Sequence, residues 1–175
     1  LFRSYKSNLY SLEDKIIKTY PREIERYEKL IEGAKKDIAR IEPQATGDNK
    51  FTSIKIGNEL IKDRKEAGDK ILEAVKGIKL NDKKIIGEYR GFPIEVTYNI
   101  ITNEHNFNLK GANNHYGDLG QNRDGNITRM DNVLEKIPDS LKQFEEKLLA
   151  TKEQLEIAKE EVKKPFDKEE ELKNK

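Results

Sequence analysis

The chain has 175 residues, of which 38% are charged and 34% hydrophobic, a balance that favours long solvated helices and a modest core. The net charge of +1 excludes a strongly basic protein that would coat nucleic acid or a membrane surface. The absence of cysteine excludes disulfides and thiolate metal sites. No apolar run approaches the ~18 residues of a membrane span, so we expect no membrane partner. The absence of cysteine suits a cytoplasmic setting, which we expect for the protein.

Residues 9–42 have a helical pattern, after a polar lead-in over residues 1–8 that we expect to be frayed. Pro21 interrupts the pattern, and a proline inside a helix removes a hydrogen bond and clashes with the preceding turn. We therefore expect a kink or a new helix start there. Pro43 and Gly47 are expected to end the helix in a turn or linker. Apolar residues recur at spacings of three and four: Ile17, Tyr20, Ile24, Tyr27, Ile31, Ala34, Ile38 and Ile41.

Residues 50–125 change to the two-residue period of strands. The runs Phe51–Ile56 and Glu59–Lys62 predict a hairpin. A helix from Arg64 to about Lys76 is expected behind a capping-box-like Asp63. Further antiparallel strands are predicted at Lys84–Arg90, Phe92–Ile101, Asn106–Gly111 and His115–Leu119.

Residues 126–164 predict a second long helix. Pro138 lies inside it, and we expect a kink there because the apolar register continues across the proline. Pro165 is expected to end the helix and to leave residues 165–175 as a charged tail. The apolar positions again follow at three and four residues: Leu134, Ile137, Leu141, Phe144, Leu148, Thr151, Leu155, Ala158 and Val162.

Each apolar seam needs a partner, and the two seams lie at the two ends of a compact segment. We therefore expect an α+β fold in which residues 9–42 and 126–164 form a long antiparallel two-helix coiled-coil arm. The small antiparallel-sheet-plus-helix head, residues 50–125, would be inserted between the two helices. This economical pairing favours a monomer. The alternative is a coiled-coil dimer in which the seams pair between chains, and the pattern does not decide between the two.

Two polar groupings are weak candidates for metal sites. The loop around Asp124 has the composition of a calcium loop, but the first ligand would be Gly120 and the last Asp131 rather than glutamate. His105 and His115 are zinc-ligand types, but nothing in their spacing places them on one face. No phosphate loop or hydrolytic constellation is present. We therefore expect no metal, no cofactor and no catalytic residue.

Nucleic-acid binding is the strongest of the remaining signals. A basic cluster begins at Lys76 and extends through Arg90, with aromatic residues nearby. Lysine and arginine neutralise phosphates, and exposed aromatic rings stack on bases. Asp82 and Glu88 dilute the positive charge. The candidate nucleic-acid-binding residues are Lys76, Lys79, Lys83, Lys84, Tyr89, Arg90, Phe92 and Lys110.

Six stretches, in order over nearly the full chain, carry a resemblance to a known family: Leu12–Ala39, Arg64–Leu72, Gly87–Val96, Leu109–Gly111, Gly125–Asn132 and Glu160–Lys173. In these stretches the chain resembles the C-terminal region of very large helicase–methylase proteins from conjugative mobile elements of Gram-positive bacteria. Those proteins combine a SNF2/DEAD-box-type helicase with a DNA adenine methylase-like region. The chain opens at Leu1 and its only methionine is Met130, so we expect a fragment of a longer polypeptide.

The resemblance implies a limited function, because the family's ATP-binding and methyl-transfer motifs have no counterpart here. It implies a non-catalytic accessory domain that assists DNA binding or domain positioning in an ATP-dependent helicase/methylase. The implied partners are DNA and other domains of the parent polypeptide. Residues 112–125 match the family least, and the resemblance assigns them no role. The alternative function is a coiled-coil protein-interaction or structural arm with no nucleic-acid contact.

Overall fold

The computed structural model describes residues 2–44 and 50–173, and for Phe2 and residues 165–173 it describes the backbone alone. The chain divides into two compact units. The helical unit comprises residues 1–32 and 141–175, and the sheet unit comprises residues 33–140. None of the described helices combines the length and the apolar composition needed to cross a membrane.

The sheet unit contains one six-stranded antiparallel sheet with the order β2-β1-β3-β4-β5-β6. Its strands are β1 (Ile54–Ile56), β2 (Glu59–Ile61), β3 (Lys83–Tyr89), β4 (Phe92–Asn99), β5 (Glu104–Lys110) and β6 (Asn114–Asp118). Helix α3 (Arg64–Val75) connects β2 to β3. Helix α4 (Gly125–Glu135) follows β6. The fold is therefore α+β, as the change of period in the sequence predicts.

One face of the sheet forms the core of the unit. Ile94 and Val96 of β4 pair with Leu109 and Phe107 of β5, and none of these four side chains has exposed surface. Helix α3 contacts β1 to β3, and α4 contacts β6. Each apolar side chain buried in this way contributes roughly 1.5–3 kcal/mol. The helices contribute their own buried residues to the core: Ala67, Ile71, Val75, Ile127, Met130 and Leu134.

The local predictions for the sheet unit are largely confirmed. The β1–β2 hairpin turns at Gly57, whose φ of 59° suits glycine. Asp63 caps α3, because its carboxylate accepts a hydrogen bond of 3.2 Å from the Glu66 amide. The later strands begin and end within about two residues of the predicted bounds, which is the usual uncertainty of such boundaries.

The predicted coiled-coil arm with an inserted head is wrong. In the described ranges, extensive packing between elements joins strands to one another and joins α3 and α4 to the sheet, with no comparable pairing of the long terminal helices. The N-terminal region is not one continuous heptad helix. It consists of α1 (Phe2–Asp14), a π-helical turn (Lys15–Thr19) and α2 (Tyr20–Arg40). The π turn shifts the helical register, and Ile17 within it is 71% exposed.

The boundaries at both ends of that region also differ from the prediction. Residues 2–8 belong to α1 and are not a frayed lead-in. Helix α2 starts at Tyr20, directly after the π turn, and it ends at Arg40. The predicted stop at Gly47 lies outside the described residues.

The second seam is also divided between elements. Helix α4 ends at Glu135, and α5 (Ile137–Lys173) begins one residue later. Pro138 therefore lies in the first turn of α5, where backbone amides have no acceptor within the helix, so its missing N–H costs no hydrogen bond. The predicted kink within one continuous helix is replaced by a break between α4 and α5. Leu134 and Ile137 are buried within the sheet unit. Pro165 does not end the helix: a proline removes one hydrogen bond, and the α5 backbone stays helical on both sides of it.

A buried carboxylate fixes the last turns of α2 to the β5–β6 turn. Asp37 is 1% exposed. It accepts hydrogen bonds from the amides of Ala112 (2.7 Å) and Asn113 (2.9 Å) and from His115 Nε2 (2.7 Å). A side chain at Gly111 would collide with Asp37 Oδ1. Three donors therefore satisfy the buried carboxylate, as burial of a charged group requires.

A second carboxylate fixes the β3–β4 turn. Tyr89 is fully buried, and its hydroxyl donates to Asp131 Oδ1 of α4 over 2.6 Å. Gln44 Nε2 donates to both the Tyr89 hydroxyl and Asp131, each over 2.7 Å. Arg90 adds an ion pair to Asp131 at 3.2 Å and donates from Nε to the Glu42 carbonyl over 2.9 Å. Burial, followed by the hydrogen bond to Asp131, raises the pKa of Tyr89 far above its ordinary value.

The Asp37 contacts predict that Asp37→Asn destabilises the sheet unit by about 2–4 kcal/mol. An amide has one acceptor oxygen, and its NH₂ group would face N–H donors. Urea unfolding followed by circular dichroism measures the loss. Glu28→Gln removes an exposed carboxylate from the same helix and serves as the matched control. Equal unfolding midpoints for Asp37→Asn and wild type would contradict the role of the carboxylate.

The Tyr89 contacts predict a specific pH dependence. Tyrosine in the unfolded chain ionises near pH 10, whereas buried Tyr89 stays protonated to higher pH. The stabilisation is therefore complete below about pH 10 and falls above it, by up to about 1.4 kcal/mol per pH unit. Tyr89→Phe lowers stability at pH 7 by about 1–3 kcal/mol, and its deficit relative to wild type shrinks above pH 10.

Urea unfolding between pH 7 and pH 11 tests this expectation. Tyr116→Phe, at a side chain that is 69% exposed, is the control and leaves stability at pH 7 near that of wild type. A deficit of Tyr89→Phe that stays constant across the pH range would show that the hydroxyl is not held in its protonated form.

Candidate nucleic-acid interface

Residues 76–84 comprise the short turn that connects α3 to β3 and the first two residues of β3, and we call this segment the lysine loop. Ile78 is buried and anchors it. Its amide donates to the Val75 carbonyl over 3.1 Å. Asp82 Oδ2 accepts from the Lys79 amide over 2.9 Å, and the Asp82 amide donates back to the Lys79 carbonyl over 3.0 Å. Asn81 adopts a positive φ of 70°, as short polar residues in turns readily do.

Four lysines project from this loop. Lys76, Lys79, Lys83 and Lys84 are all exposed. Within residues 2–44 and 50–164, no ion pair is made by Lys76, Lys79 or Lys84. The Lys83 ammonium lies 3.6 Å from the Glu95 carboxylate. The acidic residue of the loop itself is Asp82, which already accepts a backbone hydrogen bond. The lysine loop therefore concentrates positive charge. Among the described residues, Lys83 has an ion-pair partner in Glu95, and Glu59 and Glu73 line the same cleft as Lys84.

Asn99 at the end of β4 and the β4–β5 connection that follows it, together residues 99–103, form an apolar hairpin tip. Ile100 is 64% exposed and Ile101 is 91% exposed. The Asn99 side chain accepts from the Ile101 amide over 2.9 Å, the Tyr98 hydroxyl donates to the Asn103 side chain, and these bonds fix the tip. Two adjacent β-branched apolar residues are thus held out in solvent on a structured turn.

The lysine loop and the hairpin tip lie side by side. His105, at the start of β5, donates from Nε2 to the Ile78 carbonyl over 2.8 Å; a carbonyl can only accept, so this nitrogen carries the proton. The His105 ring also packs edge-on against Tyr98, with 5.3 Å between ring centroids. Lys76 and Asn103 line one cleft between the two segments. The combined surface offers ammonium groups and apolar side chains, and Glu104 and His105 line the same cleft.

The predicted lysines are only partly brought together. Lys110 lies near the end of β5, away from the lysine loop along the strand. It nevertheless reaches the same carboxylate as Lys83, because Lys110 Nζ is 3.1 Å from Glu95 Oε2. Glu95 is only 7% exposed, so it offsets part of the charge of both lysines. Lys110 and Lys83 therefore have an ion-pair partner, whereas Lys76, Lys79 and Lys84 have none within the part of the chain whose side chains are described.

Burial removes the stacking role predicted for the aromatic residues. Tyr89 and Phe92 are opposite each other in the β3–β4 register and have no exposed surface, so neither ring can meet a base. Arg90 is also committed, through its ion pair with Asp131. The structure places Ile100 and Ile101 on the same exposed surface. The sequence pattern predicts them as the last residues of a strand.

The residues weighed as metal ligands are engaged in other contacts. His105 bonds a carbonyl of the lysine loop, and His115 bonds Asp37. The Asn122 side chain accepts from the Asp124 amide over 2.9 Å in the turn before α4. In the part of the chain with described side chains, no three histidine or acidic residues are grouped as a metal site.

The chain matches no protein-family model, no curated protein and no solved structure. Its resemblance to the C-terminal region of helicase–methylase proteins therefore stays a prediction.

Proposed function

We propose that the chain is a non-catalytic accessory domain that binds DNA through the lysine loop, within a cytoplasmic DNA-processing protein of the helicase/methylase type. The observation that carries the proposal is a set of three exposed lysines without ion-pair partners among the described residues: Lys76 and Lys79 lie on a hydrogen-bonded turn, and Lys84 lies at the start of β3.

The chemistry of this loop suits a phosphate backbone. DNA carries closely spaced negative charges with condensed counterions, and each lysine that neutralises a phosphate releases counterions to solvent. Because backbone bonds fix the turn, its backbone loses little conformational entropy on binding, and the entropic cost comes from the lysine side chains. A single small anion would bind this loop more weakly than a polyanion, because a polyanion contacts several ammonium groups at once.

The charge balance predicts the mode of binding. The chain as a whole has a net charge of only +1, so attraction depends on the local excess at the loop. About three phosphate contacts give a plot of log affinity against log salt with a slope of about −3. Such binding is modest and independent of sequence, which suits a module that supports the DNA engagement of a larger enzyme.

A second candidate function rests on α5. Leu149 and Ile157 are 61% and 59% exposed, and eight residues apart they share one side of the helix. This exposed apolar side suits a protein partner, such as another domain of the parent polypeptide. It favours an interaction arm without nucleic-acid contact.

The DNA-binding proposal is tested by substituting Lys76, Lys79 and Lys84 together with glutamine. Fluorescence anisotropy with a labelled duplex at about 50 mM salt should show affinity weakened tenfold or more, and the salt slope should fall by about 3. The control is the same triple substitution of exposed lysines on α5, at Lys142, Lys147 and Lys152. Both variants lose three positive charges.

An equal loss in both variants would mean that DNA senses only total charge. No binding by wild type at low salt would remove the proposal.

For the second candidate, sedimentation of the purified chain should show self-association or binding of parent domains that Leu149→Lys with Ile157→Lys abolishes. Retained association in this double variant would exclude the exposed side of α5 as the interface.

A further inference from the structure

We infer that the hairpin tip is an apolar wedge: Ile100 and Ile101 insert between adjacent base pairs of a DNA duplex held by the lysine loop. The inference rests on the proposed function and names how the same surface engages its ligand. Its consequence is local unstacking and bending of the duplex.

The tip has the form that insertion requires. Ile101 is 91% exposed, the highest value among the large apolar side chains of the described residues, and its neighbour Ile100 is 64% exposed. Bonds from Asn99 and between Tyr98 and Asn103 fix the turn. The isoleucines therefore stay extended in solvent, and insertion into a base stack would remove their apolar surface from water.

The neighbouring charge identifies the occupant. The bond from His105 to Ile78 holds the tip against the lysine loop, and Lys76 lines the cleft beside Asn103. A wedge between base pairs needs cations next to it, because the flanking phosphates must be held while the step opens. Ammonium groups beside two apolar side chains provide this combination. Asp82 lies in the lysine loop and Glu104 directly follows the tip, so the four lysines of the loop leave a formal excess of two positive charges over these two acids.

Two other classes of partner fit less well. An apolar docking site on a protein needs a buried centre surrounded by a polar rim, whereas this tip protrudes from the end of the sheet. An anionic membrane would also attract lysines, but two isoleucine side chains are smaller than a myristoyl chain, which by itself gives only marginal membrane binding. Insertion into DNA needs only one or two such side chains.

The test uses a duplex in which 2-aminopurine, whose fluorescence rises when it unstacks, lies beside a TA step. Pyrimidine–purine steps are the easiest to unstack. The chain has no tryptophan, so protein emission does not obscure the probe. The variant is Ile100→Thr with Ile101→Thr, which keeps β-branched side chains and removes their apolar ends. Leu60→Thr, at a 63% exposed residue of β2, is the control.

At saturating protein, wild type and Leu60→Thr should raise the fluorescence at least twofold, and the double threonine variant should lose most of that rise. Its affinity for DNA, measured by anisotropy, should fall less than that of the lysine triple variant. This separation is expected because phosphate contacts dominate affinity, whereas the wedge governs distortion.

Saturation of the duplex by wild type without a fluorescence change would overturn the wedge and leave the DNA-binding proposal standing. Absence of DNA binding would overturn both. Binding to phosphatidylserine vesicles that depends on Ile100 and Ile101, with no fluorescence change on DNA, would overturn the wedge in favour of a membrane contact.

Discussion

The antiparallel order of β3, β4 and β5 sets the layout of the sheet unit. Neighbouring strands run in opposite directions, so the start of β3, the end of β4 and the start of β5 must meet at one end of the sheet. The register shows this directly, since Lys83 pairs with Thr97 and Thr97 with Asn106. Segments that are separate in the sequence, the lysine loop and the hairpin tip, are thereby neighbours. The hydrogen bond from His105 to Ile78 fixes the distance between them.

The opposite end of the sheet is held by two carboxylates. Asp37 binds the β5–β6 turn, and Asp131 binds Tyr89 and Arg90 at the β3–β4 turn. Both networks leave their donors and acceptors satisfied, which is what makes buried polar groups tolerable. The sheet unit thus has one end closed by side chains of α2 and α4. At its other end, cations and apolar groups remain exposed.

Local signals in the sequence predicted the local structure. The hairpin at Gly57 and the helix behind Asp63 follow from turn and cap chemistry that acts within a few residues. The lysine loop was also visible, because its charges are adjacent in the chain. A three–four spacing, by contrast, shows that a helix buries one side but not which element covers it. Leu134 and Ile137 fit a heptad seam equally well, yet they are buried in the sheet unit.

The errors in the site have similar causes. Tyr89 and Phe92 flank a basic turn, which suggested exposed rings. They face each other across a hairpin, however, and the register that turns both inward is a tertiary property. Ile100 and Ile101 read as the last residues of a strand, because apolar residues favour strands. Only the early end of β4 at Asn99 shows that they form a turn.

Hydrogen exchange of backbone amides, with and without a duplex, tests the proposed DNA interface most directly, because it locates protected amides without substitutions. Residues 76–84 and 99–103 should exchange more slowly in the complex, while the β5–β6 turn and α5 should be unchanged. Protection along α5 or at the β5–β6 turn, with none at the lysine loop, would contradict the assignment of the interface to this end of the sheet.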